Sequence, residues 1–276
     1  MEMSWGVTLA VLGAALLHAG WNVMVKSGAD KDLETVAIAA GSGLIAALLM
    51  PLLPAPASAS WPWLAGSTLV HILYFVFLAG AYRHGELSFA YPIMRGGGPM
   101  IVAAAGAVAF NEILSLEKAA GVGLICAGII GFASGAHDRR ATWFAIANAA
   151  VIGAYTLIDA QGARLSGAPV SYTLWFFAAN GVVITAYGLA RRGTEIPAYL
   201  RRNWLRAAIG GACALGAYGI ALWAMTRAPV ALVAVLRETS VVFAAVIAYF
   251  FLKEKLTRRR MIATGAVMLG LAALRL

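Results

Sequence analysis

An all-α integral membrane fold, with ten transmembrane helices arranged as two inverted five-helix repeats, is predicted by three observations. Hydrophobic residues make up 62% of the 276 and charged residues only 12%, at a mean hydropathy of +0.82. Apolar runs close to the length of a bilayer crossing recur along the whole chain, separated by short polar or proline-bearing breaks. The two halves also superpose in sequence when one is shifted by 142 residues.

The composition excludes a soluble domain, which carries about twice this share of charge. The net charge of +9 does not indicate a nucleic-acid partner, because the basic residues sit in short loops between apolar runs. Cys126 and Cys213 both lie inside apolar runs, so neither a disulfide framework nor a metal site is expected. No cofactor is expected either. The first apolar run has no basic residues before it and is too long for the core of a cleaved leader, so it reads as a retained helix.

A bilayer core takes roughly 20 apolar residues per helix. On that measure the spans are 5–25, 33–53, 63–82, 87–109, 118–135, 142–163, 170–190, 204–225, 230–252 and 259–274. Residues 1–137 form the first repeat and 138–276 the second. Among the loops, 15 Lys and Arg fall on one side and 4 on the other, Arg275 among the four. The positive-inside rule then places both termini outside a cell (inner) membrane.

The repeat is carried by paired residues. Under the 142-residue shift Arg95 falls on Arg237, Glu112 on Glu254, Leu114 on Leu256, Ser115 on Thr257, Gly123 on Gly265 and Gly128 on Gly270. Ser115 and Thr257 are placed as N-caps for spans 5 and 10. Five spans per half is an odd number, so the second half enters the membrane from the opposite side. Such an inverted repeat gives a carrier two similar conformations, one open to each face.

Charged residues within the spans need a reason, since each costs roughly 2.5–3.5 kcal/mol on insertion scales. Arg95 lies about 12 Å into span 4 and Arg237 about 10 Å into span 9. A guanidinium stays charged and its planar fork suits a carboxylate or phosphate. Each arginine therefore either clamps a substrate anion or pairs with Glu238 or Asp159. These two carboxyls are the candidates for proton coupling or gating. Tyr91 shares the Arg95 face, and the surrounding Pro92, Gly96, Gly97, Gly98 and Pro99 predict a kinked or unwound span 4 beside a cavity, or close helix packing. His18, Trp21 and Asn22 share one face of span 1. Tyr155 and Asn180 complete the candidate binding residues. Glu112 and Glu254, at span ends, read as caps or loop ion pairs.

Ten spans, five-plus-five inverted repeats and the Glu-x-Leu-[Ser/Thr] element before a glycine-spaced last helix resemble the drug/metabolite transporter superfamily, EamA type. Trp21-Asn22 followed by Lys26, and Tyr155-Thr156 followed by Asp159, fit the same pattern. The resemblance implies a central cavity lined by spans 1, 3, 4, 6, 8 and 9, with 5 and 10 peripheral. It also implies export or exchange of a small metabolite, often proton-coupled; a monomer and a homodimer both stay open. The substrate reads as anionic or zwitterionic from the two arginines. The alternatives are an organic cation held by aromatic rings, an intramembrane enzyme using Asp159 and His18, and a channel or scaffold. None of the sequence signatures of catalysis, such as H-E-x-x-H or a P-loop, is present.

Overall fold

The structure, a computed structural model, describes residues 3–133, 135–251 and 258–274. Glu254, Leu256, Thr257 and Arg275, which carry part of the sequence argument, lie outside the described residues. The described chain is helical, and its one extended pairing is an isolated bridge between Gly85 and His137. The helices are α1 (Trp5–Ser27), α2 (Lys31–Leu49), α3 (Trp61–His84), α4 (Leu87–Ala109), α5 (Leu116–Ile130), α6 (Arg139–Leu165), α7 (Pro169–Arg192), α8 (Glu195–Met225), α9 (Val230–Arg237), α10 (Ser240–Phe251) and α11 (Arg258–Ala273). Among the described residues, seven helical segments are long and apolar enough to cross a membrane, with α9 and α10 contributing one of them, Val230–Ile247.

Capping sets several of the starts. The Ser4 hydroxyl accepts from Val7 N at 3.3 Å, Asp30 Oδ1 from Asp32 N and Leu33 N at 3.0 Å each, and Asp138 Oδ1 from Ala141 N at 2.8 Å. Each satisfies orphan amides of a first helical turn. Ser115 caps α5 through Lys118 N, as its position in sequence predicts.

The helices pack with α3 against α6, α1 against α8, α2 against α7 and α8, α4 against α5, α6 and α9, and α5 against α11. Small residues permit the closest approaches. A Cβ on Gly43 would stand 2.8 Å from the Gly181 Cα, so α2 and α7 touch backbone to backbone at that level.

Three sequence expectations change. The span expected as one run over 230–252 is broken: α9 ends at Arg237, and α10 starts at Ser240. Span 4 is not unwound, because α4 runs through Pro92 and Pro99 as one helix. Its glycines serve packing instead. A Cβ on Gly96 would lie 2.9 Å from Cys126 O, one on Gly97 2.9 Å from the Ala149 Cβ, and one on Gly98 2.6 Å from the Ile152 side chain. Residues 195–203, expected as loop, form the first turns of α8, which bends at Asn203 (φ −120°, ψ 25°). Ile196 and Tyr199 hold those turns down on Leu33 and Val36 of α2.

Candidate functional site

The break after α9 places Glu238 in the interior, 5% exposed, with its backbone outside regular helix. Arg95, two turns into α4, reaches it, and its Nη2 lies 2.9 Å from Glu238 Oε1. α4 packs directly against α9, which makes this reach short. Arg95 Nη2 also lies 3.4 Å from His18 Nε2 of α1. Two atoms of the pair are left over, since Arg95 Nε and Glu238 Oε2 are buried without a hydrogen-bond partner. An unsatisfied buried group costs about 1–3 kcal/mol, and more when charged.

A second cluster adjoins the first. Asp159 of α6 is fully buried and accepts two phenolic hydrogen bonds, from Tyr172 at 3.0 Å and from Tyr218 at 2.5 Å. The face of the Tyr218 ring receives the Arg237 guanidinium at 5.3 Å from its centroid. No ion pair of Arg237 occurs among the described residues. Tyr218 therefore joins the second arginine to the buried carboxyl, with its ring on one and its hydroxyl on the other.

Tyr155 lies between the clusters, close enough to feel the charges of Arg95, Arg237, Glu238 and Asp159. Tyr74 and Tyr91 lie within the same range of Arg95. His71 of α3 packs at a tilt on Tyr155 with centroids 4.1 Å apart, and Ser67 holds its Nδ1 through the backbone oxygen at 2.9 Å. The structure thus gathers Arg95, Glu238, His18, Tyr91, Tyr155, Asp159 and Arg237 into one polar interior. The remaining candidates sit differently. Trp21 packs edge-on against the His18 ring, the Asn22 amide donates to His18 O at 2.7 Å, and the Asn180 amide donates to Phe176 O at 3.2 Å. Both asparagine amides thus bond a carbonyl of their own helix.

Sequence reasoning passed over Ser67, His71 and Tyr172. His71 stands alone in an apolar run, and only its partners in space mark it out. The signal for Tyr172 is weaker still, because its hydroxyl is meaningful only once α6 and α7 are placed.

Both ends of the bundle are tied. At one end Glu112, in the α4–α5 connection, accepts from Arg164 Nη2 at 2.6 Å and from the first amide of α9, Val230 N, at 2.7 Å. Arg164 also donates to Met225 O and lies over the Phe110 ring. A cavity of about 550 Å³ opens beside this knot. At the other, basic end Asp30 pairs with Arg192. There Glu34, buried though charged, takes Arg206 at 3.1 Å and the Tyr199 hydroxyl at 2.5 Å. His84 and Asp138 pair at 3.3 Å beside the Gly85–His137 bridge. The Leu33 amide is the first cause that holds the Asp30 carboxyl below the usual carboxylate range. For Asp138 the first cause is the Ala141 amide, with His84 adding to it.

A helical, multi-pass membrane protein with charged groups gathered in its interior defines a transporter class more readily than a soluble or catalytic one. Residues 139–276 match the model of the EamA-like transporter family, half of the chain, and the chain belongs to that family. Residues 32–125 match the model of the Small Multidrug Resistance protein, of the same drug/metabolite transporter type. A solved crystal structure, described only as that of a protein, is similar over 97% of this chain and 96% of its own, with a TM-score of 0.76 and 19% identity. At that identity it speaks for the fold alone. No curated protein matches the chain. Members of the EamA-like family are transporters, which argues against an enzyme.

Proposed function

We propose that the protein is a secondary-active, alternating-access carrier of a small polar metabolite bearing a carboxylate or similar anion, in a multi-pass cell-membrane setting. Arg237 is the observation that carries the substrate class. It is a cation inside the bundle that rests on a tyrosine face, with no ion pair among the described residues. The neighbouring Arg95–Glu238 pair is self-neutralised but retains two unsatisfied buried atoms. A substrate carboxylate on Arg237 and a polar group on Arg95 Nε or Glu238 Oε2 would satisfy what the protein alone leaves open. An ammonium group of a zwitterion would fall to Glu238. Asp159, one hydroxyl away from Arg237 through Tyr218, is the proposed proton-coupling carboxyl.

The architecture supporting this reading is ten spans in two inverted repeats, with α9 and α10 as one discontinuous span. The packing supports it. Exchanging the halves turns the α1–α8 pair into α6–α3 and maps the α2–α7, α4–α9 and α5–α11 pairs onto themselves, and all of these pack. A broken span at membrane depth is the usual carrier device for presenting backbone and charge to a cargo. The basic ends face the cytoplasm, both termini face outward, and export or exchange is the direction.

A second reading, an organic-cation carrier, is favoured by one observation. His71, Tyr74, Tyr155, Phe176 and Tyr218 form a ring-rich wall around Asp159. The matched Small Multidrug Resistance model bears a name consistent with it. The two readings separate in a thermal-shift screen of the purified protein against metabolite acids, zwitterions and quaternary amines, because a bound cargo stabilises the folded state. Stabilisation by carboxylates that is lost in Arg237→Ala supports the first. Stabilisation only by quaternary amines removes it.

A further inference from the structure

α5 and α11 pair at the periphery of the bundle, away from the charged interior. Between them runs a groove of about 430 Å³ lined by Leu124, Ala127, Gly131, Ile262 and Ala266, with Arg258 as its charged wall among the described residues. Small side chains leave it concave, and Ala127, Ile262 and Arg258 are exposed. We propose that this groove is a binding site for one anionic phospholipid, with an acyl chain in the furrow and the phosphate on Arg258. It is separate from the transport path and independent of the carrier reading.

The shape of the chemistry selects the occupant. An apolar furrow ending in a guanidinium matches an amphiphile with an acidic head, and a polar metabolite gains nothing from such walls. Arg258 opens α11, so its guanidinium and the positive end of the helix dipole coincide. Phosphate is the natural counter-charge, and basic pockets between membrane helices recognise acidic lipid heads in this way. A second copy of the chain is a poorer occupant, since it carries a net charge of +9 and would have to bring a carboxylate to Arg258.

The test uses the full chain purified in a neutral detergent and titrated with phosphatidylglycerol or phosphatidylcholine, followed by thermal unfolding and by native mass spectrometry. Phosphatidylglycerol is expected to raise the midpoint by several degrees and to remain on the protein at one molecule per chain, while phosphatidylcholine does neither. Arg258→Gln should remove most of the shift. Ala127→Trp, which fills the furrow from its exposed side, should remove the bound lipid with the midpoint of the lipid-free protein unchanged. Arg201→Gln, an exposed arginine at the same end, should leave the response intact. Equal shifts from both lipids would overturn the proposal. So would an Arg201→Gln loss as large as that of Arg258→Gln, or a dimer mass lost on Ala127→Trp.

Discussion

Arg95 and Glu238 meet at 2.9 Å across the two halves of the chain, one from a continuous helix and the other from the break in a discontinuous one. Both side chains are buried, so neither charge reaches water easily. The pair therefore fixes how α4 and α9 face each other, and any motion of one half against the other strains or breaks it.

Removing one partner should be far worse than removing both. Arg95→Ala leaves a buried carboxylate unpaired and is expected to cost about 3–5 kcal/mol. Arg95→Met combined with Glu238→Leu is expected to restore most of that stability without restoring transport. Thermal unfolding of the three variants in detergent, beside uptake by each, checks it. A double variant as unstable as the single one would show that more than the pair is at stake.

Tyr218 offers a way to separate binding from coupling. Tyr218→Phe keeps the ring under Arg237 and removes the hydroxyl from Asp159, while Tyr218→Leu removes both. The phenylalanine variant should leave KM nearly unchanged and displace the pH profile of transport. The leucine variant should raise KM as well. An unmoved profile in Tyr218→Phe would remove Asp159 from the coupling step.

The knot around Glu112 makes a local prediction. Its carboxylate satisfies the first amide of α9 and holds Arg164. Glu112→Ala should fray that end, at about 0.5–2 kcal/mol for a lost cap. Hydrogen exchange in the first turn of α9, Val230 to Val233, should rise while the packed middle of α6 stays protected. Unchanged exchange there would mean the cap is dispensable.

Acid should loosen the basic end first. The folded Asp138 carboxyl titrates below its unfolded value, because the Ala141 amide and the His84 side chain favour its charged form. A depressed carboxylate contributes stability that is fully present above the unfolded value, about 3.9, and is lost as pH falls through the folded one. Melting curves of the wild type and Asp138→Asn should therefore differ at neutral pH and converge on acidification below about pH 4. Parallel curves across that range would contradict the contribution assigned to the Asp138 charge.

Much of the fold is legible in the sequence because length and apolarity are what a bilayer demands. The breaks at Lys26–Asp32 and Pro51–Pro62 and the Ser115 cap are written in residue type. The interruption after Arg237 is hard to see in the sequence, since neither Gly nor Pro marks it. Its signal is four successive polar residues, Arg237-Glu238-Thr239-Ser240, inside an apolar run. Of the two readings open for span 4, unwinding and close packing, the structure takes the second. Glycine and proline there weaken a helix in isolation, but the flat face they leave is filled by Cys126, Ala149 and Ile152 of neighbouring helices, and tertiary packing wins. Arg95, Arg237 and Asp159 stand out in sequence because charge is rare in a span. Which charge meets which depends on packing, and so does the role of His71.

The account rests on Arg237 as the anchor for a substrate anion, and the most direct measurement is counterflow in proteoliposomes. Wild type and Arg237→Ala would be loaded with a panel of unlabelled metabolite acids, zwitterions and quaternary amines, and the matching radiolabelled compounds supplied outside. The account predicts saturable exchange of at least one carboxylate by the wild type, and a loss of at least about tenfold in Arg237→Ala, the equivalent of about 1.4 kcal/mol. Carboxylate exchange that survives unchanged in Arg237→Ala, or exchange confined to quaternary amines, would contradict it.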